Sequence, residues 1–149
     1  MTYDIYQSPI GTLYLVEDKG ALCGLTLNEP IEAKVLIYRK SPLTKKVSLW
    51  LDYYFNQIDK PIDFPIKFLG SSYQQTIYKT LLNIPYGKTT TYGKIAEKLS
   101  TSPRAVGGAV GSNQLLIVVP CHRVLSKHNL GGFSGGVDIK DYLLNLEKR

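Results

Sequence analysis

"TTYGKIAEKLSTSPRAVGGAVGSN", residues 90–113, contains two short helical repeats with a break between them. Tyr92, Ile95 and Leu99 fall on one face of a first helix, because residues three and four apart stack on the same side. "STSP" (100–103) interrupts the pattern, and a second helix begins near Arg104 with Val106 and Val110 one turn apart. The layout predicts a helix–turn–helix, although helical hairpins are common in small domains. The second helix is unusual in holding Gly107, Gly108 and Gly111, each of which costs about 0.5–1 kcal/mol relative to alanine in a helix interior. They follow Arg104 at i+3, i+4 and i+7 and continue the face it starts. A face stripped of side chains admits either another helix or a phosphate strand. The exposed arginine at its start favours nucleic acid.

Charge points the same way. Residues 1–70 carry 8 Lys+Arg against 8 Asp+Glu, whereas residues 71–149 carry 10 against 4, so the whole excess of +6 lies in the second half. A basic half joined to a neutral one predicts a polyanion partner, the alternative being a solvated basic surface. With 44% hydrophobic residues and no apolar run near the roughly 18 residues a span requires, the chain reads as soluble and globular. The start "MTYDIYQSPIG" lacks the features of a signal peptide, and two widely separated cysteines suit a reducing cytosol.

Toward the N-terminus, "YDIYQ" (3–7), "TLYLVE" (12–17) and "ALCGLTL" (21–27) predict a β-meander punctuated by "SPIG" and "DKG". Cys23 lies in the third strand as a small buried filler. A helix opens at Ser41 and Pro42, with Leu43, Val47, Trp50, Leu51 and Tyr54 on one face. "DKPIDFPIKFLG" (59–70) predicts an extended connector, so the organisation is 1–58, a connector 59–70, and 71–149. A capping box at Ser72 and Gln75 starts the next helix, with Ile77, Leu81 and Ile84 on its stripe and Pro85 ending it. The last helix buries Ile139, Tyr142, Leu143 and Leu146, with Glu147 at the edge of that face.

On the other side of the helix–turn–helix stands "PCHRV" (120–124), after the apolar run "LLIVV" (115–119), which predicts a buried strand. Cys121 could be a nucleophile, a metal ligand or a small apolar side chain. A thiol attacks only as thiolate, which requires a base or a positive environment. His122 is adjacent, but strand neighbours point to opposite faces, so the two cooperate only if the chain turns at Pro120 or a water bridges them. A histidine base also needs a carboxylate to orient it. Of Glu97, Asp138, Asp141 and Glu147, the last is best placed to be partly buried. Cys23, Cys121, His122 and His128 show no ligand spacing, so no metal site is predicted.

"PCHRV", together with "IPYGKTTTYGKIA" (84–96), "RAVGGAVGSN" (104–113) and "FSGG" (133–136), resembles the O6-alkylguanine-DNA alkyltransferases. The motifs cover nearly all of residues 72–147 in order and approximate spacing, and the first 60 residues match in outline. The resemblance implies an α/β (α+β) fold, with a ribonuclease H-like β-meander domain before a mainly helical, winged-helix-like domain. It implies direct repair of O6-alkylguanine in double-stranded DNA by irreversible, single-turnover transfer of the alkyl group to Cys121. His122 would deprotonate the thiol through a water, Glu147 would complete the relay, and Tyr92 would donate to the guanine ring. Arg104 would fill the gap left by the flipped nucleotide, and Gly107, Gly108 and Gly111 would line a helix inserted in the minor groove. Asn113 would be a hinge, and the backbone around Val124 and Ser134 would read the base edge. No cofactor is implied, and the expected state is a cytoplasmic monomer with no membrane contact. Gln114, Phe133 and Tyr78 stand where the family often has proline, tyrosine and tryptophan. The alternative is a non-catalytic helix–turn–helix protein, a lesion sensor or a regulator. Against the regulator, the glycines offer no side chains to base edges.

Overall fold

The computed structural model describes residues 1–29, 36–133 and 135–148. The chain divides into two compact units, Met1–Leu69 and Gly70–Arg149.

In the first unit, β1 (Thr2–Ser8), β2 (Gly11–Asp18) and β3 (Ala21–Thr26) form the predicted antiparallel meander, and β4 (Ile37–Tyr38) adds to β1 in parallel, giving the order β3-β2-β1-β4. The β2–β3 turn has positive φ at both Lys19 (51°) and Gly20 (81°), the combination whose twist matches that of the flanking strands. Leu13 and Leu15 alternate inward on β2, and Leu22 and Leu25 join them from β3. Helix α1 (Pro42–Phe55) covers this layer with Leu43, Val47, Leu51 and Tyr54. It opens as predicted, with Ser41 capping the Thr44 N–H and Pro42 at the first helical position. The run "DKPIDFPIKFLG" is extended and lies along β3: Leu22 N–H donates to Pro65 O (2.9 Å) and Lys67 N–H to Leu22 O (2.8 Å).

The second unit comprises α2 (Ser72–Leu81), β5 (Thr90–Thr91), α3 (Tyr92–Leu99), α4 (Pro103–Gly111), a 3-10 turn (Cys121–Arg123), β6 (Val124–Leu125) and α5 (Val137–Glu147). The helix–turn–helix is α3 and α4. Ser100, in the left-handed conformation, closes the first helix, and Ser102 caps the second. Ile95 and Ala96 on α3 meet a core that includes Val106, Ala109 and Val110 on α4.

Four expectations change. Helix α2 ends at Leu81 with Leu82 as its cap, so Ile84 lies outside it and Pro85 follows a turn later and does not end it. The capping box is Ser71 with Gln74, one residue earlier than Ser72 with Gln75. Gly70 permits this: at φ 115° it folds the chain so that Gln74 returns to the Ser71 N–H (2.9 Å), where a Cβ would lie 2.4 Å from Gln74 Oε1. The run Leu115–Val119 is buried but is no strand, since Ile117 has φ 70° and tight turns carry the backbone through it. The buried face of α5 is Lys140, Leu143, Leu144 and Glu147, whereas Tyr142 is exposed; two polar residues at the ends of a complete i, i+3, i+4, i+7 stripe disguised it.

Candidate active site

A single side chain organises the turn that carries Cys121. The buried Asn113, just past α4, accepts the Leu115 N–H on Oδ1 (2.9 Å) and donates Nδ2 to Val119 O (3.0 Å). It thus supplies, for an irregular buried segment, the hydrogen bonding that a sheet would otherwise provide. The left-handed Ile117 within it costs on the order of 1–3 kcal/mol and persists only because its surroundings dictate it. Next come the 3-10 turn and β6, which pairs in parallel with β5 (Thr90 opposite Val124, Thr91 opposite Leu125). This pairing ties the start of α3, and therefore Tyr92, to the cysteine turn.

Because Cys121–Arg123 is a 3-10 turn, the opposite-face constraint of a strand does not apply. His122 is fully buried, with Nε2 2.6 Å from Glu147 Oε2. Arg123 forks onto the same carboxylate, Nε to Oε1 at 2.8 Å and Nη2 to Oε2 at 3.0 Å, and its Nη1 donates to Ile84 O at 2.7 Å. Gly87 N–H adds a bond to Oε1 (3.1 Å). Burial alone would raise the Glu147 carboxyl, but hydrogen bonds and charge from His122 and Arg123 outweigh it and hold the group at about 2. Burial dominates at His122, with help from the Arg123 and Lys140 charges; it lowers the imidazole below its ordinary value although Glu147 pulls the other way.

Cys121 is 3% exposed. Burial pushes its thiol up to about 11, against the opposing pull of an Asn113 hydrogen bond and the Lys140 charge. Lys140 is entirely buried on α5, where Nζ donates to Val124 O (2.6 Å) and Gly132 O (3.0 Å). Burial lowers its ammonium, and the charge of Cys121 partly restores it. The Tyr92 hydroxyl donates to Gly132 O (3.4 Å), and its ring lies 5.8 Å from Lys140 Nζ. Burial, then the neighbouring Cys121, raises the Tyr92 phenol, so it remains a hydrogen donor at neutral pH. Gly131 makes room for that ring: at φ 76°, a Cβ there would sit 2.9 Å from Tyr92 Cε2.

One buried cluster thus unites Cys121, His122, Glu147, Asn113, Val124 and the half-buried Tyr92. Val124 N–H is used by Cys121 O, and its carbonyl takes Lys140 while keeping a second lone pair. Arg104 is exposed in the first turn of α4, apart from the cluster. Gly108 and Gly111 are exposed, and a Cβ on either would meet nothing within 4 Å, while one on Gly107 would only graze Tyr92 at 4.0 Å. Among the described residues, packing therefore does not require the glycines. Ser134 lies outside the described residues. Arg123 and Lys140 also join this cluster, through Glu147 and Val124, and both escaped sequence reasoning. Arg123 sat in plain view inside "PCHRV", and Lys140 was hidden because a lysine in a helix reads as solvated. Among the described residues no group of three or more His, Cys, Asp or Glu side chains could hold a metal ion, and no helix is long and apolar enough to cross a membrane.

Residues 1–68 match the family described as 6-O-methylguanine DNA methyltransferase, ribonuclease-like domain, and residues 72–149 match the DNA binding domain of the same description. A methylated-DNA–protein-cysteine methyltransferase of Haemophilus influenzae is 38% identical over 153 residues, covering 98% of this chain and 86% of its own. One of the same name from Saccharolobus solfataricus is 36% identical over 149 residues, covering 99% and 95%. The crystal structure of Mycobacterium tuberculosis OGT in complex with DNA superposes with a TM-score of 0.91 at 35% identity, covering 99% of this chain and 93% of that one.

Proposed function

This chain belongs to the 6-O-methylguanine DNA methyltransferase family, and from that premise we propose that it repairs O6-alkylguanine in duplex DNA by moving the alkyl group onto Cys121. The observation that carries the assignment is a buried thiol beside a histidine whose other side is locked to a carboxylate. The Cys121 proton passes through a bridging water to His122, which Glu147 orients. Sγ then attacks the alkyl carbon in line, and the bond from that carbon to guanine O6 breaks. The departing guanine accepts a hydrogen bond from the Tyr92 hydroxyl and takes up one proton in place of the alkyl group, His122 releases the proton it received from sulfur, and a thioether remains on Cys121. A thioether is stable to water at neutral pH, so each molecule acts once.

The reacting oxygen is inside a base pair, so the nucleotide leaves the stack, at a cost of a few kcal/mol. Helix α4 supports this step. Its open glycine face lets the backbone approach the minor groove, and Arg104 fills the vacated space. Asn113 joins that helix to the cysteine turn and acts as the hinge, while backbone near Val124 and Ser134 reads the base. The protein acts as a monomer without a cofactor, and free buried cysteines fit a cytoplasmic setting.

The deciding experiment incubates the protein with a duplex carrying O6-methylguanine and weighs the intact protein. A gain of one methyl, lost on Cys121→Ala, is expected. Tight binding with no gain in mass would instead identify a lesion sensor.

A further inference from the structure

Arg123 takes no part in the transfer chemistry described above, yet its guanidinium stitches together three segments: the turn at Ile84–Gly87, the cysteine turn and the end of α5. Besides its fork onto Glu147 and its bond to Ile84 O, it lies 5.8 Å from the Tyr86 ring. Each Glu147 oxygen consequently carries one guanidinium N–H and one further donor, Gly87 N–H on Oε1 and His122 Nε2 on Oε2. An ionised carboxylate only accepts, so Nε2 bears the hydrogen. In a neutral imidazole the lone pair is then on Nδ1.

Charge decides whether the imidazole stays neutral. Glu147 and Arg123 cancel one another in a space shielded from bulk solvent. A proton on His122 would add a buried positive charge beside the neutral Cys121 thiol, with Lys140 of α5 acting on it as a second cation. Without the guanidinium, the partner best suited to Glu147 is an imidazolium, which cannot accept a proton from sulfur.

We propose that Arg123 is the positioning residue of this site: its fork fixes Glu147 as the acceptor of His122 Nε2–H and takes up the carboxylate charge, so that His122 stays a neutral base accepting at Nδ1. The consequence for rate rests on the alkyl-transfer reading above; the tautomer does not. Arginine is required because the geometry is bidentate, which a lysine point charge cannot reproduce.

The test uses the full chain with nitrogen-15 NMR of the two histidines, His122 and His128, alongside single-turnover transfer against pH. In the unmodified protein, His122 should be the Nε2–H tautomer and should titrate below the ordinary histidine range. In Arg123→Gln its midpoint should rise by about 1–3 pH units, with the acid limb of the transfer rate moving by the same amount. Arg123→Lys keeps the charge and should leave the midpoint low, but it should slow transfer at the pH plateau by about ten- to a hundredfold through lost alignment. An Nδ1–H tautomer or an ordinary midpoint in the unmodified protein would overturn the proposal, and so would an unmoved midpoint in Arg123→Gln. If Arg123→Gln does not fold, the native tautomer and the plateau rate of Arg123→Lys decide the question. Failure of the unmodified protein to gain alkyl mass at any pH would sink the transfer reading alone, because the NMR signals do not depend on it.

Discussion

If Cys121 is the acceptor, it must be inert while idle and ionised when a lesion arrives. With its thiol pushed up to about 11 by burial, Cys121 rests as the neutral thiol at neutral pH. The proposed base, His122, is lowered by burial and faces a carboxylate that stays ionised to about 2. Replacing Cys121 with alanine should abolish the mass gain while leaving duplex affinity within about twofold, as expected if α4 and not the thiol meets the groove. Cys23→Ala should transfer normally, being buried in β3. Intact mass spectrometry after exposure to methylated duplex checks both, and label on Cys121→Ala would refute the nucleophile. The residues of this site were readable in the sequence where they carry unmistakable chemistry: a cysteine beside a histidine, one carboxylate on a packed helix, a tyrosine opening another. Arg123 and Lys140 were missed because charged side chains are expected in water. Only the fold reveals that one meets a carboxylate and the other a pair of carbonyls.

The glycines of α4 cost it helix stability. With nothing within 4 Å of a Cβ at Gly108, Gly108→Ala should stabilise the free protein by about 0.5–1 kcal/mol, the ordinary gain in a helix interior. If the bare face approaches DNA, the same methyl should weaken binding to duplex. Thermal melts with and without DNA read the two effects, and a variant that is both more stable and equally tight would remove the reason for the glycines. If Arg104 fills the gap left by the flipped nucleotide, Arg104→Ala should slow repair in duplex DNA far more than reaction with the free modified base. Equal slowing would dismiss the finger. Elements with a full period were readable, namely the three strands of the meander, α1, and the α3–α4 pair. β4, β5 and β6 are two residues each, too short for any alternation to show. Leu115–Val119 was misread for a different reason. Five apolar residues in a row look like a buried strand, and the feature that makes them a coil is a side chain outside the run, Asn113.

The buried charges also set the pH range over which the chain as a whole stays folded. His122 and Glu147 are both depressed in the fold, so on acidification the unfolded chain takes up protons that the folded chain refuses. Stability should therefore begin to fall below about pH 6.5, where an ordinary histidine titrates, and more steeply between 4.5 and about 2, with Glu147 contributing roughly 3 kcal/mol. Cys121 works in the opposite sense. Its thiol ionises at 9.0 in an ordinary setting but only at about 11 in the fold, so it stabilises below pH 9 and that contribution is lost as the pH climbs to 11. The lowered ammonium of Lys140 opposes this alkaline loss, so a single melting curve would mix the two. Methylation separates them, because a thioether at Cys121 has no proton to lose. The added methyl must also fit a site only 3% exposed, and overfilling costs about 1–3 kcal/mol. Free and methylated protein, melted side by side by far-UV circular dichroism, should give curves that run parallel from pH 5 to 8 with the methylated form lower. Between about pH 9 and 11 the gap should close as the free protein alone pays for its thiol. Curves that coincide at neutral pH would show a pocket that absorbs the product without strain, and a gap that persists to pH 11 would show that the Cys121 thiol is not held protonated by burial.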